Sequence, residues 1–120
     1  MSAYNWIELT GMCPACQSSQ NLRAQTHVAS SFSGDERGRF SNRSYRLGEA
    51  MAWWLPNDSR YPDWFKSCDP AHMSPVQEAC YSECVGCRAE LCVVVEFDGP
   101  TPIRAVAVTP ASQWPEGYSR

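Results

Sequence analysis

Histidine is scarce in this sequence, since His27 and His72 are the only two among 120 residues. Two histidines leave few side chains whose ordinary pKa suits a general base near neutral pH. The sequence also contains no G-x-S-x-G, P-loop, H-E-x-x-H or glycine-rich dinucleotide pattern. Neither histidine belongs to the H-x-E and P-C-x-x-C arrangement of zinc deaminases. These absences favour a function without catalysis.

Carboxylates are the remaining candidates for catalysis, because general acid–base chemistry can be built from a pair of them. Sequence alone does not pair carboxylates, which are ordinary surface residues. An enzyme of this kind therefore stays open as a third interpretation, with its pair drawn from Glu49, Asp58, Asp63 or Glu78.

Long apolar runs and excess basic charge are also missing. No stretch approaches membrane-spanning length, and the first residues lack the basic region and apolar core of a secretory signal. Ten Lys and Arg residues stand against thirteen Asp and Glu residues, for a formal net charge of −3. Nucleic-acid binding depends on cationic side chains that release counterions from phosphates. We therefore expect a cytoplasmic protein that binds no membrane and is a poor default binder of nucleic acid.

Cysteine, by contrast, is abundant and clustered in sequence. There are seven, so a closed disulfide framework would leave one over. Four of them form C-P-A-C at 13–16 and C-V-G-C at 84–87. A turn with this spacing places two thiolates about 2.3 Å from one Zn²⁺, and a second turn completes a tetrahedral site with no open position. The sequence therefore predicts one structural zinc ion bound by Cys13, Cys16, Cys84 and Cys87.

Other interpretations of the cysteines remain open. Four thiolates also suit a rubredoxin-like iron centre. A C-x-x-C pair can act in thiol redox chemistry, although that role is typical of a βαβ context, and the cysteines can also be structural without metal. A second metal site from Cys68, His72 and Cys80 matches no familiar ligand spacing, and burial as small apolar side chains is the simpler prediction for Cys68, Cys80 and Cys92.

Periodicity predicts strands more readily than helices. Residues 22–32 alternate with period two, which indicates a long strand, and residues 40–47 are expected to return beside it as a hairpin. Residues 91–97 and 103–109 predict a second hairpin after the second cysteine pair. Short helices are expected at 49–55, before Pro56, and at 61–65.

The two cysteine pairs with their following strands resemble the zinc-ribbon fold group, in which two metal-binding turns on β-hairpins hold one zinc. Gln17 and Arg88 stand where such turns often have glycine, and residues 17–83 form a long insertion. The resemblance implies a zinc-ribbon-like small domain. Together with the strand and proline patterns, it predicts one mainly β domain over residues 1–120, with an irregular aromatic-rich insertion and one or two short helices. A ribbon does not by itself name a function.

Two features are candidates for partner binding. Trp53, Trp54 and Trp64 lie in an aromatic-rich stretch, and tryptophan is frequent at interface hot spots, although these rings would equally serve to pack the insertion. Arg37, Arg39 and Arg43 lie close to Arg46 in the turn and second arm of the hairpin predicted from residues 22–32 and 40–47. Arginines on a hairpin can bind carboxylates or phosphates, or can simply be solvated. The acidic charge favours a partner protein.

We therefore expect a non-catalytic, zinc-stabilised protein-binding module, such as a small inhibitor or immunity-type protein that neutralises another protein. A nucleic-acid-associated ribbon that uses the residues between Arg37 and Arg46 is the second interpretation.

Overall fold

The computed structural model describes residues 4–30, 40–65 and 76–116, and their architecture is mainly β, as predicted. Six strands form one sheet. They are β1 (Asn5–Met12), β2 (Ser19–Thr26), β3 (Ser44–Arg46), β4 (Val76–Cys84), β5 (Glu90–Asp98) and β6 (Thr101–Pro110). Two 3₁₀ helices are described, at Tyr61–Phe65 and Ala111–Gln113.

The strand order in the sheet is β3-β1-β2-β4-β5-β6. Neighbouring strands are antiparallel except β3, which runs parallel to β1. The sheet curls so that β1 approaches β6, although β2, β4 and β5 lie between them in the sheet order. A Cβ atom at Gly11 of β1 would lie only 3.9 Å from Cγ2 of Val108 in β6. Backbone hydrogen bonds from Gly48 and Met51 to the carbonyls of Pro102 and Pro100 then join the segment after β3 to the β5–β6 turn.

The curl gives the sheet a buried inner face and a more exposed outer face. Alternate residues of each strand point to the same face, so the inner face carries side chains such as Ile7, Leu22 and Val93, each fully buried. Along β5, residues 91–97 are all buried, because Ala107 and Trp114 pack on its outer side against Cys92 and Val94. Strand β5 is therefore the centre of the core.

The predicted alternation of residues 22–32 is correct in part. Leu22, Ala24 and Thr26 are buried at alternate positions, but β2 begins at Ser19 and ends at Thr26. The predicted hairpin between this strand and residues 40–47 is wrong, since β3 pairs with β1 in parallel. Hydrogen bonds just before β3 support this pairing, because the Trp6 N–H donates to the Arg43 carbonyl at 2.8 Å and the Asn5 Oδ1 accepts from the Arg43 N–H at 3.0 Å.

The predicted helix at 49–55 is also wrong, because no helix forms there. Its amides are used elsewhere: the Met51 N–H donates to the Pro100 carbonyl and the Ala52 N–H donates to the Tyr45 hydroxyl, both at 3.0 Å. The short helix predicted at 61–65 is present as the 3₁₀ helix Tyr61–Phe65. Within the described ranges no helix is long and apolar enough to cross a membrane.

Candidate metal centre

The two cysteine pairs lie in the tight turns of two adjacent hairpins. Residues 13–18, the first knuckle, connect β1 to β2, and residues 84–89, the second knuckle, connect β4 to β5. Strands β2 and β4 are paired, with Leu22 opposite Cys84, so the two turns emerge at the same end of the sheet. The pairing register therefore brings together cysteines that are distant in sequence.

The two knuckles have the same backbone hydrogen bonds. In the first, the Cys13 N–H donates to the Ser18 carbonyl at 3.0 Å and the Gln17 N–H donates to the Cys13 carbonyl at 2.8 Å. In the second, the Cys84 N–H donates to the Ala89 carbonyl and the Arg88 N–H to the Cys84 carbonyl, again at 3.0 and 2.8 Å. Each pair of thiols is thus presented by the same turn.

Gln17 and Arg88 occupy the left-handed backbone region, with φ of 56° and 66°. Glycine reaches this region without steric cost, whereas a residue with a Cβ is strained there. These are the two positions where the sequence departs from the usual glycine of such turns. The chain adopts the turn at both sites despite this cost, because the surrounding hydrogen bonds hold it.

The four thiols of Cys13, Cys16, Cys84 and Cys87 lie together, with every pair of Sγ atoms within 4.8 Å. The Sγ atoms of Cys13 and Cys87 are 3.7 Å apart. Four sulfurs at about 2.3 Å from a tetrahedral zinc would be separated by about 3.8 Å. Cys13 and Cys84 are buried and Cys87 is exposed. The cluster has the number, chemistry and spacing of ligands to hold a metal ion.

The electrostatics of the cluster also favour a cation. A hydrogen bond with the Ser18 hydroxyl lowers the pKa of Cys16 to about 6, although burial opposes this change. Backbone amides, first that of Cys87, lower the pKa of Cys84. For Cys87, the Ala89 amide favours the thiolate, but partial desolvation by its neighbours and hydrogen bonds with the other three thiols outweigh it and raise the pKa to about 12. Four thiolates this close repel one another, and a bound dication would remove that repulsion.

A second set of contacts joins the knuckles. The Val85 N–H donates to the Asn21 carbonyl at 3.0 Å, linking the second knuckle to β2. The Gln20 side chain lies directly over Gly86, where any Cβ would overlap it, so this glycine provides space. The Gln20 amide also donates to the Ser18 hydroxyl at 2.9 Å, and that hydroxyl lies 3.2 Å from the Cys16 sulfur.

Cys80 and Cys92 are not members of the cluster. Both are buried, but Cys80 lies on the inner face of the sheet and Cys92 packs on the outer face with Val94. The Cys80 thiol donates to a carboxylate oxygen of Glu78 at 3.1 Å. Cys68 and His72, the other members of the predicted second site, lie outside the described residues.

The three candidate tryptophans are half-buried. Trp53 and Trp64 pack against the core, and the Trp53 indole N–H donates to the Tyr61 carbonyl at 2.9 Å. Trp54 stacks edge-on against Trp53 and Phe40, with ring centroids 4.6 and 4.8 Å away. Among the described residues no group accepts a hydrogen bond from the Trp54 Nε1 atom. These rings thus pack the segment after β3 onto the domain while keeping part of their surface exposed.

Of the candidate arginines, Arg43 is exposed just before β3, whereas Arg37 and Arg39 lie outside the described residues. The candidate carboxylates have separate surroundings. Glu49 accepts a hydrogen bond from the Arg46 amide, and Asp58 pairs with the Arg60 guanidinium at 2.8 Å. The side chain of Asp63 is not described.

Among the candidate carboxylates, Glu78 has the environment that sequence analysis did not predict, in which three hydrogen-bond donors surround a desolvated carboxylate. Burial raises its pKa, although hydrogen bonds from the Thr26 hydroxyl, the Cys80 thiol and the His27 amide partly offset the effect. Thr26 is the last residue of β2, His27 follows it, and Cys80 lies on β4 itself, so Glu78 connects the end of β2 to the neighbouring strand. The pairing of β2 with β4 creates this contact, and no sequence signal marks it.

Comparison of the chain with protein-family models, with curated proteins and with solved structures finds no match.

Proposed function

We propose that this chain is a zinc-stabilised, non-catalytic domain that binds another protein, of the type of a small inhibitor or immunity protein. The observation that carries the zinc part of the proposal is the cluster of four cysteine thiols within 4.8 Å of one another. Four protein thiolates complete the coordination of zinc and leave no position for a substrate. The role of such an ion is to hold the fold.

The architecture around the cluster supports zinc in a structural role. Each knuckle lies on its own hairpin, which is the arrangement of the zinc-ribbon fold group, and both knuckles have the same backbone hydrogen bonds. Because the two hairpins meet through only part of β2 and β4, an ion between them would add cohesion where the sheet is narrow. Binding free energy in such sites contributes directly to folding.

The protein-binding part of the proposal rests on the surface beside the metal centre. Met12, which precedes the first knuckle, is 61% exposed, Val85 of the second knuckle is 53% exposed, and Tyr81 of β4 is 38% exposed. Tyrosine and methionine are enriched in the buried centres of protein interfaces, and an adjacent valine adds apolar surface. An acidic chain with net charge −3 is better suited to a protein partner than to a phosphate backbone.

Two measurements test the proposal together. Elemental analysis of purified protein is expected to find one zinc per chain, and co-expression with the products of neighbouring genes is expected to yield a stable complex. The complex should weaken little between about 50 and 200 mM salt, whereas nucleic-acid binding would weaken steeply. A fully folded protein without metal would contradict the zinc centre, and salt-sensitive binding to nucleic acid in place of any protein would contradict the partner class.

A further inference from the structure

A groove crosses the outer face of the sheet beside the second knuckle. Its volume is about 270 Å³, and its walls include Trp6 of β1, Arg23 of β2, Tyr81 of β4, and Val85 and Arg88 of the second knuckle. Ligand pockets for drug-sized molecules are usually larger, at about 300–1,000 Å³. The groove therefore has room for one or two side chains of a bound segment.

Arg23 has an unusual position in this groove. Its guanidinium carbon lies 4.0 Å from the centroid of the Trp6 ring, so one face of the cation is covered by the aromatic ring. A stacked guanidinium keeps its N–H groups directed outward from its edge, in the fork that binds a carboxylate by two parallel hydrogen bonds.

A second arginine–tryptophan stack in the same chain shows what completes such an arrangement. Arg60 lies 4.5 Å from the centroid of the Trp54 ring, and Asp58 supplies the carboxylate. The Arg60 side chain donates to both carboxylate oxygens, at 3.0 and 2.8 Å. The two stacks differ in one respect, because within the described part of the chain no carboxylate forms an ion pair with Arg23.

Three glutamates lie near Arg23, but none of them forms an ion pair with it in the described structure. Glu8 is opposite Arg23 in the β1–β2 register, yet no ion pair joins them in the described structure. Glu83 is opposite Arg23 in the β2–β4 register and also lines the groove, but the described structure has no ion pair between them. Glu90 accepts a hydrogen bond from the Tyr81 hydroxyl at 2.7 Å. Arg88, likewise without an ion pair among these residues, adds a second cation to the groove wall.

We propose that the groove binds an acidic segment of the partner protein, whose carboxylate side chain pairs with Arg23 and takes the place that Asp58 has beside Arg60. This inference rests on the proposed protein-binding function and locates its surface. Tyr81 and Val85 provide apolar contact for a neighbouring side chain of the same segment. Arg88 provides a second positive charge, so the described groove wall has two cations against the one carboxylate of Glu83 and favours acidic residues on the segment over basic ones.

The groove is connected to the metal centre, because Val85 and Arg88 belong to the second knuckle. Arg88 directly follows Cys87, and its amide donates to the carbonyl of Cys84 at 2.8 Å. An ion that holds these two cysteines therefore also holds the groove wall. Affinity for the acidic segment should depend on bound zinc.

Selection of short random peptides on the immobilised zinc-loaded protein tests the inference. The enriched sequences are expected to carry Asp or Glu beside an aromatic or aliphatic residue. For one enriched peptide, Arg23→Gln is expected to raise Kd at least tenfold, because a charge-assisted hydrogen bond is removed. Arg88→Gln is expected to raise Kd less, since this residue supplies charge at the groove wall.

Arg60→Gln is the matched control, because it removes an arginine that is also stacked on tryptophan but already paired with Asp58. It should change Kd less than twofold. A peptide in which the acidic residues are replaced by Asn and Gln should lose binding to the wild-type protein. Zinc content and the thermal unfolding midpoint of each variant show that the fold is intact.

The remaining outcomes separate this inference from the proposed function. A partner complex that is unaffected by Arg23→Gln and Arg88→Gln would retain the protein-binding function and overturn the groove assignment. Enrichment of peptides without acidic residues, or tighter binding of oligonucleotides than of acidic peptides, would also overturn it. Absence of any protein or peptide ligand would overturn both.

Discussion

The Sγ atoms of Cys13 and Cys87 lie 3.7 Å apart, although 74 positions separate the two residues in the chain. An ion between them closes a long loop, and closing a long loop costs conformational entropy that the ion's coordination bonds offset. A metal ion bound by the four-cysteine cluster would therefore join the β1–β2 and β4–β5 hairpins, which the pairing of β2 with β4 already connects.

The Cys84→Ser variant is expected to lose both its bound metal and its folded structure. Zinc content should fall well below one per chain and cooperative thermal unfolding should be lost, because free energies of about 10–16 kcal/mol are typical of structural zinc binding. Elemental analysis and circular dichroism measure the two effects. Cys80→Ser and Cys92→Ser are the controls, since these buried cysteines lie outside the cluster. They should lower stability through packing but keep one zinc, and metal loss in Cys80→Ser would show that the ligand set is wrong.

Gln17→Gly is expected to stabilise the protein by about 0.5–1 kcal/mol. Gln17 is exposed and has φ of 56°, so removal of its Cβ relieves more strain than the added flexibility of the unfolded chain costs. Gln17→Ala retains the Cβ and should leave the free energy of unfolding nearly unchanged. Urea denaturation of the zinc-saturated proteins compares the three. Equal stability of the glycine and alanine variants would show that the knuckle backbone is unstrained.

Trp53→Ala is expected to reduce the free energy of unfolding by about 3 kcal/mol, because the ring packs on the core and on Phe40 and its N–H is hydrogen-bonded. Leu55→Ala is the control, since Leu55 is 71% exposed and should cost little. Stability and partner capture are measured on the same variants. Trp53→Ala with wild-type stability and capture weakened by about 2 kcal/mol would instead identify Trp53 as an interface residue.

Glu78→Gln is expected to flatten the pH dependence of stability. Burial raises the pKa of Glu78 above the ordinary value of 4.5, so the folded state holds this proton more tightly than the unfolded state does. The resulting stabilisation is complete below pH 4.5 and is lost as the pH rises through the raised pKa, by at most about 1.4 kcal/mol per pH unit.

Urea denaturation of zinc-saturated protein across this pH window checks the Glu78 prediction. Glu83→Gln is the matched control, because Glu83 is exposed on the same strand and its substitution should leave the slope unchanged. Parallel profiles for the wild type and Glu78→Gln would contradict the prediction.

Local sequence patterns correctly predicted those strands and helices whose formation depends on residues close together in the chain. Alternation predicted the hairpin that becomes β5 and β6, and proline in the first turn predicted the short helix at Tyr61–Phe65. The metal-ligand candidates also came from local spacing, because each C-x-x-C turn places its own two thiols. In these cases the physical cause acts within a few residues, so the sequence contains it.

Long-range contacts decided the rest. Within residues 40–47, Ser44–Arg46 pairs with β1, and hydrogen bonds to Asn5 and its neighbours support this pairing. The amides of Met51 and Ala52 donate to Pro100 and Tyr45 instead of forming a helix. The meeting of the two knuckles and the stacking of Arg23 on Trp6 depend on strand register. The sequence by itself determined which turns can present thiols and which segments can form strands. Only the tertiary structure decided which partners those segments meet, because pairing energies across the sheet outweigh local preference.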